Sequence, residues 1–261
     1  MCDCQRTRRD VLLAALGLVG TAALAACGRA GTQLPPASAT AVEVAPGLRI
    51  HPRDTWGADL PPKGPMGRED VRFLLVHHTA TSNLATTDPR SVVRQTYAWQ
   101  TGPAKGWPDI CYHFMIGPDG SVWETRAGSL AGPVVADATG GNQGFAQLVC
   151  LIGDFTSQAP TPAAQESLMR TLIFLADRYD IDTDPAASAS FVSRGSNKYR
   201  AGTYVTTSTV SGHRDVTYTA CPGDLGYTML DGWRRRVHAS RLARDEPGPV
   251  RSAVRLGVHL S

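Results

Sequence analysis

The sequence is short of the features that would settle its partners at once. Charge of one sign is missing: 26 Lys and Arg stand against 23 Asp and Glu, a formal net charge of +3 over 261 residues. So close a balance does not make the strongly basic protein that nucleic acid selects, and no nucleic-acid partner is expected. A membrane-length hydrophobic run is also missing. The N-terminal apolar stretch, Val11 to Ala26, has 16 residues, and a spanning helix needs about 20. No internal repeat stands out, which argues against a solenoid. Neither H-E-x-x-H nor C-x-x-C occurs, so the compact metal motifs are absent. Six cysteines are too few for a disulfide scaffold at this length. What remains is globular composition, 42% hydrophobic and 19% charged, enough for one domain with appendages.

The first residues read as an address. A basic start, a short apolar run and small residues after it make a secretory signal over 1–26. Thr7-Arg8-Arg9-Asp10-Val11-Leu12 resembles a twin-arginine export signal. Leu24-Ala25-Ala26-Cys27-Gly28 resembles a bacterial lipoprotein cleavage box, with Cys27 as the lipid-bearing residue. The chain is therefore expected on the outer face of a bacterial membrane, anchored through Cys27. Cys2 and Cys4 would leave with the signal. Residues 27–50, rich in Ala, Thr and Pro, are expected to be a flexible tether. A domain then runs over 51–239, and 240–261 form a basic tail that either lies on anionic polymer or is a frayed terminus.

Within the domain, Arg72 to Val76 is a short apolar run, as expected of a strand buried on both faces. Asp88-Pro89 opens a helix. Tyr112–Ile116 and Ser121–Glu124 flank a Gly-Pro-Asp-Gly turn and predict a hairpin. Phe145–Ile152 is a further strand. Thr161-Pro162 caps a helix whose Leu168, Leu172, Leu175, Ala176 and Tyr179 share a face. Ser188–Gly202 is a polar insertion, either a lid or a surface loop. Thr203–Val210 predicts a strand, and Leu225, Met229, Trp233 and Val237 a last helix. Interleaved strands and helices make the class α/β, one sheet covered by helices.

His77-His78 ends the apolar strand, His213 ends another, and Cys221 follows in Thr219-Ala220-Cys221-Pro222-Gly223. Strand ends are where ligands collect in an α/β sheet. Imidazole and thiolate suit zinc, which in catalytic sites commonly takes three protein ligands and keeps a fourth position open. From the residues alone, Cys221 could equally be a small buried hydrophobe, or a nucleophile with His213 as its base. Tyr112 could be core. Cys111 and Cys150 read as strand core, and whether they pair is open.

Five blocks carry a resemblance. They are His51-Pro52-Arg53-Asp54-Thr55-Trp56-Gly57-Ala58; Leu75-Val76-His77-His78-Thr79-Ala80; Gly106-Trp107-Pro108-Asp109-Ile110-Cys111-Tyr112-His113-Phe114-Met115-Ile116-Gly117; Leu151-Ile152-Gly153-Asp154-Phe155; and Ser211-Gly212-His213-Arg214-Asp215-Val216 through Thr219-Ala220-Cys221-Pro222-Gly223. In this order they resemble peptidoglycan recognition proteins and the related zinc-dependent N-acetylmuramoyl-L-alanine amidases, over about 51–235. The resemblance implies a single domain with a mixed central β-sheet flanked by helices and a zinc site in a surface groove. It implies His77, His213 and Cys221 as zinc ligands, Tyr112 as the tyrosine that assists catalysis, and Thr219 at a position where some relatives carry lysine and others threonine. Members that only bind peptidoglycan have typically lost the cysteine ligand; its retention here points to hydrolysis of the bond between N-acetylmuramic acid and L-alanine.

Strand alternation turns His78 away from His77, to a structural place or one beside the substrate, and makes His113 structural. Trp107 and Arg126 are expected to line a groove for sugar and stem peptide. Ala138 stands where many relatives have a histidine, which leaves the groove's shape open. A binding module that holds peptidoglycan without cutting it is the alternative, and a thiol hydrolase the third; for the last, the Gln-x-Cys and Cys-Gly-x-Cys signatures are absent. The chain is expected to act as a monomer.

Overall fold

The computed structural model describes residues 40–84, 87–137 and 144–245. The signal segment, Cys27 and Ala138 lie outside the described residues. The chain opens with β1 (Val42–Ala45) and β2 (Leu48–His51), an antiparallel pair at one edge of the sheet. This corrects the expected tether, whose last residues are ordered strand. The alternation Leu48 and Ile50 in, Arg49 out, gave them a buried face despite the tether-like composition around them. A one-turn helix, α1 (Asp54–Gly57), follows.

The apolar run becomes β3 (Phe73–His78), buried at every position. Asp88 caps α2 (Pro89–Gln100) by accepting from the Arg90 and Ser91 amides, with Pro89 in the first turn. The hairpin forms as expected from β4 (Phe114–Ile116) and β5 (Val122–Glu124). Gly120 takes φ +84° in its turn, a region closed to most side chains. Next come β6 (Ala146–Leu151) and α3 (Pro162–Arg178), where Thr161 accepts from the Ala164 amide at 3.1 Å.

The polar insertion is not a loop throughout. Ser188–Val192 forms β7 and pairs antiparallel with β8 (Tyr204–Ser208), a separate two-stranded ribbon. Phe191 explains it: the ring is buried and stacks 5.5 Å from Phe73 and 5.8 Å from Phe145. The strand expected over 203–210 is split, because Val210 starts β9 (Val210–Gly212) in the main sheet. A one-turn α4 (His213–Val216) and α5 (Asp224–Asp245) complete the chain, so the helix runs past 239 into the expected tail. Among the described residues no helix is long and apolar enough to cross a membrane.

The main sheet has seven strands in the order β1-β2-β5-β4-β6-β3-β9. Pairs β2–β5, β4–β6, β6–β3 and β3–β9 are parallel, the others antiparallel, so the sheet is mixed as expected. Even-numbered β3 residues, Leu74 and Val76, pack with Leu168, Leu172 and Trp233 of α3 and α5. Odd-numbered Phe73 and Leu75 face the other way, toward Phe191 and Val205 of the ribbon. On that second face, α2 covers Met115, Trp123 and Cys150 through Val93 and Tyr97. Period-two alternation thus sends His77 and His78 to opposite faces.

Candidate metal centre

His77 leaves the C-terminal end of β3 on the ribbon side. His213 starts α4 directly after β9, the strand paired with β3. Cys221 returns on the loop before α5. Its Sγ stands 3.6 Å from His77 Nδ1, and the two imidazole rings are 4.3 Å apart. One donor atom from each of the three lies within 4.8 Å of the others. The sequence placed these three together, and the structure brings them together.

The donor set fits a tetrahedral soft-to-borderline cation. Zinc bonds of about 2.0–2.3 Å put neighbouring donors roughly 3.3–3.8 Å apart, which brackets the His77–Cys221 gap. Burial, then the neighbouring His213, holds the His77 imidazole well below its ordinary pKa, so it stays neutral and keeps a lone pair to give. His77 Nε2 is buried and has no hydrogen-bond partner among the described residues. The His78 amide donates to Cys221 Sγ at 3.3 Å, a contact that favours thiolate over thiol. Cys111 and Cys150 form no disulfide with each other, and burial pushes the Cys111 thiol up to about 12.

The loop is held tightly. Gly223, at φ +90°, comes so close to the Phe155 carbonyl that any Cβ would meet it at about 2.3–2.5 Å. The Gly226 amide donates to Phe155 O at 3.0 Å. Thr219 Oγ1 accepts from the Cys221 amide at 3.2 Å. Arg214 donates to the carbonyls of Ala220 and Cys221 and pairs with Asp224 at 2.8 Å.

A groove of about 460 Å³ opens beside these donors, walled by Thr79, Thr81, Ser82, Gln95, Trp99 and Tyr112 among others, none of them charged. Tyr112 connects groove and donors: its ring is 5.2 Å from that of His77. Burial raises its hydroxyl well above the ordinary tyrosine pKa, so it remains a donor.

The remaining expected site residues sit elsewhere. His78 is buried on the α3 face, where its Nδ1 accepts from the Phe155 amide at 3.3 Å, and it does not line the groove. Arg126 is buried too, donating to Ile110 O at 2.8 Å and pairing with Asp137 at 2.9 Å; it props the segment that carries Tyr112. Trp107 lies off the groove wall, under the Lys105 ammonium. The aromatic on the wall is Trp99, 55% exposed and not among the residues expected from the sequence. A large apolar residue off the Val93–Tyr97 stripe of α2 was the available signal. His113 is structural as expected: Nδ1 accepts from the Leu148 amide at 2.7 Å and Nε2 faces Val134 O at 2.9 Å.

A family model described as N-acetylmuramoyl-L-alanine amidase matches residues 67–224. The chain is 31% identical over 194 residues to an N-acetylmuramoyl-L-alanine amidase of Sus scrofa, covering 71% of this chain and 27% of that protein. It therefore spans about a quarter of that relative's length. It is 30% identical over 190 residues to peptidoglycan recognition protein 1 of Bos taurus, covering 70% of this chain and 83% of that one. In structure it is similar to wild-type PGRP-LB of Drosophila, with a TM-score of 0.54 at 22% identity over 71% of this chain and 94% of the other.

Proposed function

The chain belongs to the N-acetylmuramoyl-L-alanine amidase family, and from that premise we propose that it is a zinc-dependent hydrolase of the amide between N-acetylmuramic acid and L-alanine in peptidoglycan. The observation that carries the reading is the convergence of His77, His213 and Cys221 beside a groove that Tyr112 walls. Zinc held by these three would supply Lewis acidity to a carbonyl oxygen and acidify water.

The chain's own groups supply the rest. Tyr112 donates its hydroxyl hydrogen toward the charge that develops on the carbonyl oxygen. Thr219 Oγ1 is oriented by the Cys221 amide, and its own hydrogen is left to bind water or substrate. Hydroxyls and amides of Thr79, Thr81, Ser82 and Gln95 suit the hydroxyl, acetamido and peptide groups of a muropeptide, and Trp99 offers a flat face for a sugar ring. Among the described residues the groove wall carries hydroxyls and amides, and the leaving amine takes its proton through water and these hydroxyls. Export and a lipid on Cys27, which the N-terminal sequence supports, would hold the monomeric domain where its substrate lies.

Purified sacculi and the full chain test this. Mass spectrometry of the soluble fraction should find stem peptides with a free N-terminal L-alanine. A chelator should abolish their release and zinc restore it. Zinc-loaded protein that binds sacculi but releases nothing would make the chain a binding module instead.

A further inference from the structure

The ribbon's tip, residues 193–203, reaches the segment that carries two of the three metal donors. Asn197 Nδ2 donates to Tyr218 O at 3.0 Å, and Asn197 Oδ1 accepts from Tyr218 N at 2.9 Å. Lys198 Nζ donates to the carbonyls of Arg214 at 3.0 Å and Asp215 at 2.8 Å, at the end of α4. Ser196 Oγ donates to Val216 O at 3.4 Å. Three consecutive side chains thus satisfy five backbone groups between His213 and Cys221.

Burial does little of this holding at the segment's outer turn. The Tyr218 side chain is 66% exposed, so the hydrophobic effect does not fix its backbone. The paired amide of Asn197 does. Just before the tip, Phe191 roots the ribbon by stacking on Phe73 of β3, the strand that carries His77. One insertion therefore joins the element bearing His77 to the loop bearing Thr219 and Cys221.

We propose that Asn197 is a positioning residue for the metal centre: its two hydrogen bonds to Tyr218, with the Lys198 contacts beside them, fix the 217–221 backbone so that Cys221 meets His77 and His213. The proposal rests on the zinc reading above. Partners that orient metal ligands typically cost 10–100-fold in metal affinity when removed.

The test is zinc affinity, read by competition with a chromogenic chelator on the full chain. Asn197→Ala should bind zinc roughly 10–100-fold more weakly, with the melting temperature of the metal-free protein little changed. Thr206→Ala, an exposed change on the same ribbon whose hydroxyl pairs with that of Ser190, should bind like the parent. Lys198→Met is the second variant. Removing a cation near the site would by electrostatics alone tighten zinc binding, so weaker binding marks the lost brace. Parent-like affinity of Asn197→Ala overturns the proposal. If that variant does not fold, parent-like or tighter binding by Lys198→Met overturns it. A parent chain that binds no zinc overturns the zinc reading itself, and this proposal with it.

Discussion

Cys221 Sγ stands 3.6 Å from His77 Nδ1, although 144 residues separate the two along the chain. The approach is fixed from both sides. β3 delivers His77 from between β6 and β9, and the Gly223 contact with Phe155 pins the cysteine loop. Cys221→Ser should therefore lose zinc and activity together, with native mass spectrometry showing the metal-free chain. Retention of one zinc per chain would contradict the placement.

Tyr112→Phe separates catalysis from binding. Zinc content should stay at the parent level, because the ring touches the centre without belonging to the donor set. The rate constant should fall roughly 10²–10³-fold, the usual cost of removing one donor to a developing oxyanion. Parent-like turnover would remove Tyr112 from the mechanism.

Trp99→Ala should raise KM with kcat nearly unchanged, the signature of lost ground-state and transition-state binding in equal measure. A rise of roughly tenfold corresponds to ~1.4 kcal/mol, near the upper range for one aromatic contact. An unchanged KM on sacculi or on purified muropeptides would take the ring out of the substrate site.

The pH dependence of stability should carry the mark of His113. Burial pushes its imidazole down from 6.5 to about 3. The unfolded chain therefore takes this proton first as the solution is acidified. Its contribution to stability is complete above about pH 6.5 and is lost as the pH falls from there toward 3. By NMR the His113 ring resonances should stay flat between pH 8 and 4. A midpoint near 6.5 would show that the ring is not enclosed.

Much of this was legible because chemistry and periodicity agreed. Phe73–Val76 is apolar without interruption and Ala146–Leu151 is apolar but for the buried Gln147, the pattern of a strand covered on both faces. Strand alternation was enough to separate His77 from His78. The ribbon was not legible: Ser188–Gly202 is polar, with Phe191 its one large buried apolar ring. Residues 42–50 were hidden by a tether-like composition, with only Leu48 and Ile50 to signal a buried face. Chemical type marks Trp107 and Arg126 but says nothing about direction; the fold turns Arg126 inward to Asp137 and leaves the groove to Trp99. Asn197 gave no signal at all, since a bond to the backbone of Tyr218 depends on where two distant loops meet.

Two imidazoles and one sulfur sharing an ion are the centre of the proposed chemistry. Zinc K-edge X-ray absorption on the zinc-loaded full chain reads this directly. The expected spectrum has nitrogen scatterers at about 2.0–2.1 Å and one sulfur at about 2.3 Å. A shell of nitrogen and oxygen with no sulfur in the parent would contradict it.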